Sequence, residues 1–129
     1  MHLHSSDDPV DEHVRHSAKD LIEYASKKGY EVLSFTCHDN NIFSEELREF
    51  AQKRNVLLIP GIEKMIQGKE VLLYNFSDNI IKKINKISDI KKYKGHDNLV
   101  IAPHPYYPRH NHLKHNLEKY IDAFDAIEL

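Results

Sequence analysis

Met1-His2-Leu3-His4 is the stretch on which the fold turns, because three later apolar runs end in residues able to meet it. Val32-Leu33-Ser34-Phe35-Thr36 runs into Cys37-His38-Asp39, and Val56-Leu57-Leu58-Ile59 runs through Pro60-Gly61 into Ile62-Glu63. Leu99-Val100-Ile101-Ala102 runs into Pro103-His104-Pro105. Residues two apart on an extended strand share a face, so His2 and His4 can chelate one ion together. In a parallel sheet or barrel the strand C-termini gather at one end, where sites are assembled. Strand ends carrying His2 and His4, His38, Glu63 and His104 therefore point to a metal-centred site.

Between these runs the periodicity turns helical. Ser5-Ser6-Asp7-Asp8-Pro9 reads as a polar loop, and Val14, Ala18, Leu21, Ile22 and Ala25 recur at helical spacing before Gly29, which sits where a C-cap belongs. A second strand is expected over 31–37 and a third over 56–60. Between them Ser44 caps a helix with Glu45 and Glu46 in its first turn, and Leu47, Phe50 and Ala51 face inward. Gln67-Gly68-Lys69 is a turn signal between two apolar runs and predicts a hairpin. Ile80, Ile81, Ile84 and Ile87 suggest one short amphipathic helix from Asp78, followed by a strand over 98–102. Leu113, Leu117, Tyr120 and Ile121 suggest a last helix, and the residues from Ala123 to Leu129 look like a strand just begun. Strands alternating with helices give right-handed βαβ units, hence an α/β fold with a mainly parallel sheet, flanking helices and one hairpin.

The chain has 129 residues and a formal charge of -2, which allows one domain with a real core and no whole-chain attraction to nucleic acid or anionic membrane. Cys37 is the single cysteine, so no internal disulfide forms and a reducing compartment fits. The first residues lack the cationic-then-apolar pattern of a signal peptide, and the apolar runs fall far short of the ~20 residues of a membrane span. The expected location is cytoplasmic, with no membrane partner. Ten histidines are unusual for this length. His110, His112 and His115, at a helix start, read as a wet surface rather than a second metal site, as do His13 and His16. Cys37 reads as a small core residue, and the lysines at 82, 83, 86, 91, 92 and 94 as a solvated face.

His2-Leu3-His4-Ser5-Ser6-Asp7-Asp8, Thr36-Cys37-His38-Asp39, Pro60-Gly61-Ile62-Glu63 and Ala102-Pro103-His104-Pro105 resemble the ordered motifs of the polymerase and histidinol phosphatase (PHP) family. The resemblance implies a distorted β/α barrel with two or three divalent metals, manganese, zinc or iron, at the strand C-termini. By motif, His2 and His4 would hold one ion, with Glu63 bridging it to another. His38 and a carboxylate of the Asp7-Asp8 loop, taken as Asp8, would hold a second, and His104 would serve the ion that Glu63 shares. Asp39 reads as a support for His38 or a cap of its loop. Arg109, after Tyr106-Tyr107-Pro108, is placed to take a substrate phosphate bidentately. Asp39 and Arg109 complete the candidate catalytic set.

The family continues with an Asp-x-His motif that this sequence lacks, so the expectation is one PHP-like domain over 1–129, truncated at its C-terminus to roughly half a barrel that would typically need about 250 residues. The activity implied is metal-dependent hydrolysis of a phosphoester on a small phosphorylated metabolite, a second copy supplying the missing ligands. The alternatives are a metal-binding fragment without turnover and a nuclease acting on single-stranded nucleic acid, the latter resting on the lysine stretch alone.

Overall fold

The computed structural model describes residues 2–11 and 13–128. The chain is a mixed α/β protein whose strands carry flanking helices, and it divides into two compact units, Met1–Ile62 and Glu63–Leu129.

In the first unit, helix α1 (Ala18–Lys27) starts later than its apolar spacing predicts, and Val14 lies in the preceding loop. The reason is a cap. The Ser17 hydroxyl accepts from Asp20 N–H at 3.2 Å, and the Asp20 carboxylate accepts from Ser17 N–H at 3.0 Å. Beyond the other end of α1, Gly29 takes φ +80°, a conformation in which a side chain would be strained. Strand β1 (Val32–Leu33) pairs in parallel with β2 (Leu57–Leu58), Val32 opposite Leu57. Both are shorter than the apolar runs that contain them. Between them α2 (Glu45–Gln52) begins where the Ser44 hydroxyl accepts from Leu47 N–H, and it packs against α1 and β2. Leu47 and Ala51 are buried with Ile22, Leu33, Phe35 and Leu58, while Phe50 is partly covered.

No strand is formed over residues 2–4, and Met1, the head of the expected first strand, lies outside the described residues. Leu3 shows why. Its carbonyl accepts from Thr36 N–H at 2.8 Å, as a ladder requires, but its own N–H donates to the Thr36 hydroxyl at 2.9 Å. A side chain replaces the backbone acceptor that would have continued the sheet. Close packing governs the other end of the unit. A Cβ added at Gly61 would stand 2.1 Å from Ser34 Oγ and 2.7 Å from the Phe35 carbonyl oxygen, so the chain passes there only without a side chain.

The sheet of the second unit has the order β3-β4-β5-β6, with β3 (Gly61–Ile66) beginning at the last two residues of the first unit. Gln67 and Gly68, both at positive φ, turn it into β4 (Lys69–Tyr74), the geometry favoured in two-residue hairpins. β4 runs antiparallel to β5 (Leu99–Ala102), and β5 parallel to β6 (Ala126–Ile127). This sheet is mixed rather than mainly parallel, because a two-residue turn must reverse the chain. Where one amphipathic helix is expected there are two, α3 (Asp78–Ile81) and α4 (Ile87–Tyr93). Asp89 divides them: its carboxylate accepts from Lys86 N–H and Asn85 N–H at 2.9 and 3.2 Å and opens a new helix. α5 (Asn116–Tyr120) is continued by a 3-10 turn, Ile121–Ala123. Leu129, the end of the expected last strand, lies outside the described residues. Among the described residues no helix is long and apolar enough to cross a membrane.

Candidate metal centre

Asp8 is the hub of the first unit. Its side chain is buried, and its Oδ2 lies 3.2 Å from His4 Nδ1 and 2.9 Å from His38 Nδ1. His38 N–H donates to the same oxygen at 2.8 Å and Val10 N–H to the other at 3.0 Å. Burial alone would raise the pKa of this carboxyl; the His38 and Val10 amides and the two imidazoles reverse the effect and hold it down at about 2. Asp11 closes the cluster, its Oδ2 2.9 Å from His4 Nδ1 and 3.8 Å from His38 Nδ1. One ligand atom from each of His4, Asp8, Asp11 and His38 falls within 4.8 Å of the others. Two imidazoles and two carboxylates at that spacing suit a first-row transition ion better than calcium or magnesium.

Three segments converge to build it. The Leu3–Thr36 exchange holds the extended segment beside the end of the β1 run, which sets His4 against His38 with ring centroids 4.4 Å apart. The turn after Ser5 delivers Asp8, and the next turn, Asp11 N–H to Asp8 O, delivers Asp11. His2 meets the far side of the His4 ring, Nε2 to Nε2 at 2.9 Å. Two ring nitrogens this close need a proton or a metal ion between them.

The two acids of the loop after Ser5, equivalent in the sequence, do different things. Asp7 Oδ2 accepts from Ala18 N–H at 2.7 Å and from the Ser5 hydroxyl, so it anchors the start of α1. Asp8 alone of the pair faces the imidazoles. Asp39, next to His38, is exposed in a turn at φ +48°. Cys37 is fully buried beside Ser5, and burial pushes its thiol pKa up, away from what a nucleophile needs.

In the second unit the buried Glu63 has its Oε1 3.8 Å from His104 Nε2. Arg109 is exposed, with its guanidinium 5.8 Å from the centre of the Tyr107 ring. His112, expected on a wet surface, is instead 4% exposed, stacked on Tyr107 and 3.4 Å from Glu70. His110 and His115 are exposed as expected. Lys91 and Lys94, from the lysine stretch, pair with Asp122 and Asp125.

Asp11 and Glu70 are not singled out by the sequence, and His112 is weighed there as a metal ligand but assigned to a wet surface. The signal available for Asp11 is an acid three residues beyond Asp8 in a Pro-containing turn. Glu70 looked like an ordinary strand residue after a turn, and nothing in its neighbours distinguished it.

No protein-family model matches the chain. Ninety residues, 70% of the chain, align at 30% identity with an uncharacterized protein of Methanocaldococcus jannaschii, and they cover 53% of that protein. The chain thus spans about half the length of the relative it matches.

Proposed function

We propose that this chain is the metal-binding part of a PHP-type phosphoester hydrolase acting on a small phosphorylated metabolite. The observation that carries the reading is the convergence of His4, Asp8, Asp11 and His38 on one point. The four motifs that resemble that family's add to it, and the fold that family implies is a distorted β/α barrel. The ions expected are manganese, zinc or iron. What such a site supplies when loaded is an acidified water and neutralisation of charge on a phosphoryl oxygen.

The chain's own residues do the preparatory work. Asp8 stays ionised far below neutral pH, and its two backbone donors fix its direction, so one carboxylate oxygen faces both imidazoles without rearrangement. Asp11 adds a second negative charge on a residue 29% exposed at its side chain, which leaves the cluster open to solvent and substrate. Arg109 is the candidate phosphate contact, on a loop braced by Tyr107.

The experiment is titration of the metal-free chain with Mn2+, Zn2+ and Fe2+ by calorimetry, with phosphate release from a generic aryl phosphate followed in parallel. Tight binding that Asp8→Ala or His38→Ala abolishes, with turnover dependent on the same residues, is the expected result. Binding without turnover on any simple phosphate ester would keep the metal site and remove the hydrolase. Absence of binding would remove both.

A further inference from the structure

The second unit holds a polar cluster that takes one residue, His104, from the motifs above and joins it to two that those motifs leave out, Glu70 and His112. Glu70 opens β4, and His104 and His112 flank the loop that follows β5. Each offers one ligand atom, and the three atoms lie within 4.8 Å of one another. Glu70 and His112 are buried, at 7% and 4% exposure, while the His104 side chain is 33% exposed and opens the cluster to solvent.

The hydrogen bonds assign the His112 tautomer. Its Nδ1 lies 2.9 Å from the His104 carbonyl oxygen, which can only accept, and 3.1 Å from His104 Nδ1, so His112 Nδ1 carries the proton and donates to that side. In the neutral ring the opposite nitrogen, Nε2, then presents a lone pair, and what it faces is another acceptor, Glu70 Oε2 at 3.4 Å. That separation exceeds the usual 2.7–3.2 Å of an N–H···O bond. It matches two ligands of one ion: with bonds of about 2.0–2.1 Å, neighbouring vertices of a tetrahedron stand about 3.3 Å apart. A second observation points the same way. Asn111 donates its amide to the other Glu70 oxygen, yet its own Oδ1 is buried with no hydrogen-bond partner. The pocket has more acceptors than donors.

The frame is fixed in advance. Glu70 N–H donates to the Asn111 carbonyl at 2.9 Å, and Lys69 Nζ donates to the carbonyls of His110 and His112. These bonds tie the start of β4 to residues 110–112. Tyr107 stacks on His112 at a centroid distance of 5.5 Å and limits its ring rotation.

We infer that Glu70, His104 and His112 form a divalent transition-metal site of their own within the second unit. It has three protein ligands and an open position, the arrangement that leaves room for water or a substrate oxygen. Zinc, cobalt, manganese and iron suit the two-imidazole, one-carboxylate set. The inference does not depend on the His4–Asp8–Asp11–His38 cluster.

Cobalt binding tests it, with stoichiometry from elemental analysis and ligand geometry from the visible d–d absorption. In the full chain carrying His38→Ala, at least one Co2+ should remain bound. Adding Glu70→Gln, which keeps the shape and the Asn111 contact, should weaken that ion by about 10-fold or more and change its absorption band. His112→Ala should remove it. His112→Phe preserves volume against Tyr107 and serves if the alanine variant fails to fold; circular dichroism checks both. An unchanged affinity and spectrum in folded Glu70→Gln and His112→Phe chains would overturn the proposal and leave Glu70–His112 as a metal-free buried pair. Loss of all bound cobalt in His38→Ala alone, before Glu70 or His112 is touched, would overturn it equally. If His38→Ala leaves total metal content unchanged while the Glu70 and His112 variants reduce it, the second site stands and the first reading fails.

Discussion

The two candidate clusters solve the same problem with different backbone. In the first unit Asp8 and Asp11 come from loop turns, and His4 stands in a segment held by Thr36 rather than by a strand ladder. In the second, Glu70 sits at the start of a β-strand beside a loop tied to it by backbone and lysine hydrogen bonds. The first depends on side chains that accept or donate in place of backbone; the second depends on a hairpin and a sheet. A perturbation that removes the Thr36 hydroxyl should therefore damage the first cluster and leave the second in place.

The largest effect expected comes from removing a donor. His38→Ala should weaken the tightest ion of the first unit beyond the roughly 10–100-fold seen for groups that merely orient a ligand, and leave the Glu70–His112 spectrum in place. Next is Gly61→Ala. Its Cβ meets a backbone carbonyl at 2.7 Å, which cannot move as a side-chain tip can. A loss of about 1–3 kcal/mol is expected in urea unfolding. Gly68→Ala is the control in the other unit: its Cβ would meet nothing within 4 Å, so only the cost of φ +72° remains, about 1 kcal/mol.

Acid sharpens the same contrast. Asp8 has a folded-state pKa of about 2 against an ordinary value of 3.8, so its contribution is complete above pH 4 and disappears as pH falls towards 2. The amount is about 2 kcal/mol by linkage. Asp8→Asn should flatten the pH dependence of metal-free stability over that window, measured by urea unfolding at pH 4.5, 3 and 2. An unchanged slope would mean that the imidazoles and amides around Asp8 are not arranged as described. Smallest is Ser17→Ala, which removes one half of the α1 cap and should cost about 1 kcal/mol, read as a lower melting temperature.

Part of the first cluster is legible because His38 follows an apolar run and His4 stands in a His-x-His motif, whereas Asp7 and Asp8 are equivalent in the sequence. Ser44 and the Gln67–Gly68 turn were legible for a similar reason: capping and tight turns are local chemistry. What stayed hidden is non-local. His112 reads as surface beside the exposed His110 and His115, and its contacts with Tyr107, Glu70 and His104, brought in from the loop and from β4, are not visible in its neighbours in sequence. The split between α3 and α4 was obscured by continuous isoleucine spacing, although Asp89 three residues after Lys86 carried the signal. The short β1 and β2 reflect the same limit, since apolar composition marks what is buried and not how many residues find a ladder partner.

Thr36 carries a kinetic consequence. With its hydroxyl and amide both engaged by Leu3, the neighbouring imidazoles are oriented before any guest arrives, and little ordering entropy remains to be lost at the moment of capture. Association should then proceed at the pace with which an aqua ion sheds its water, differing between nickel and zinc as their exchange rates do. In Thr36→Val, chain ordering would become the slow step and the two ions would converge on one rate.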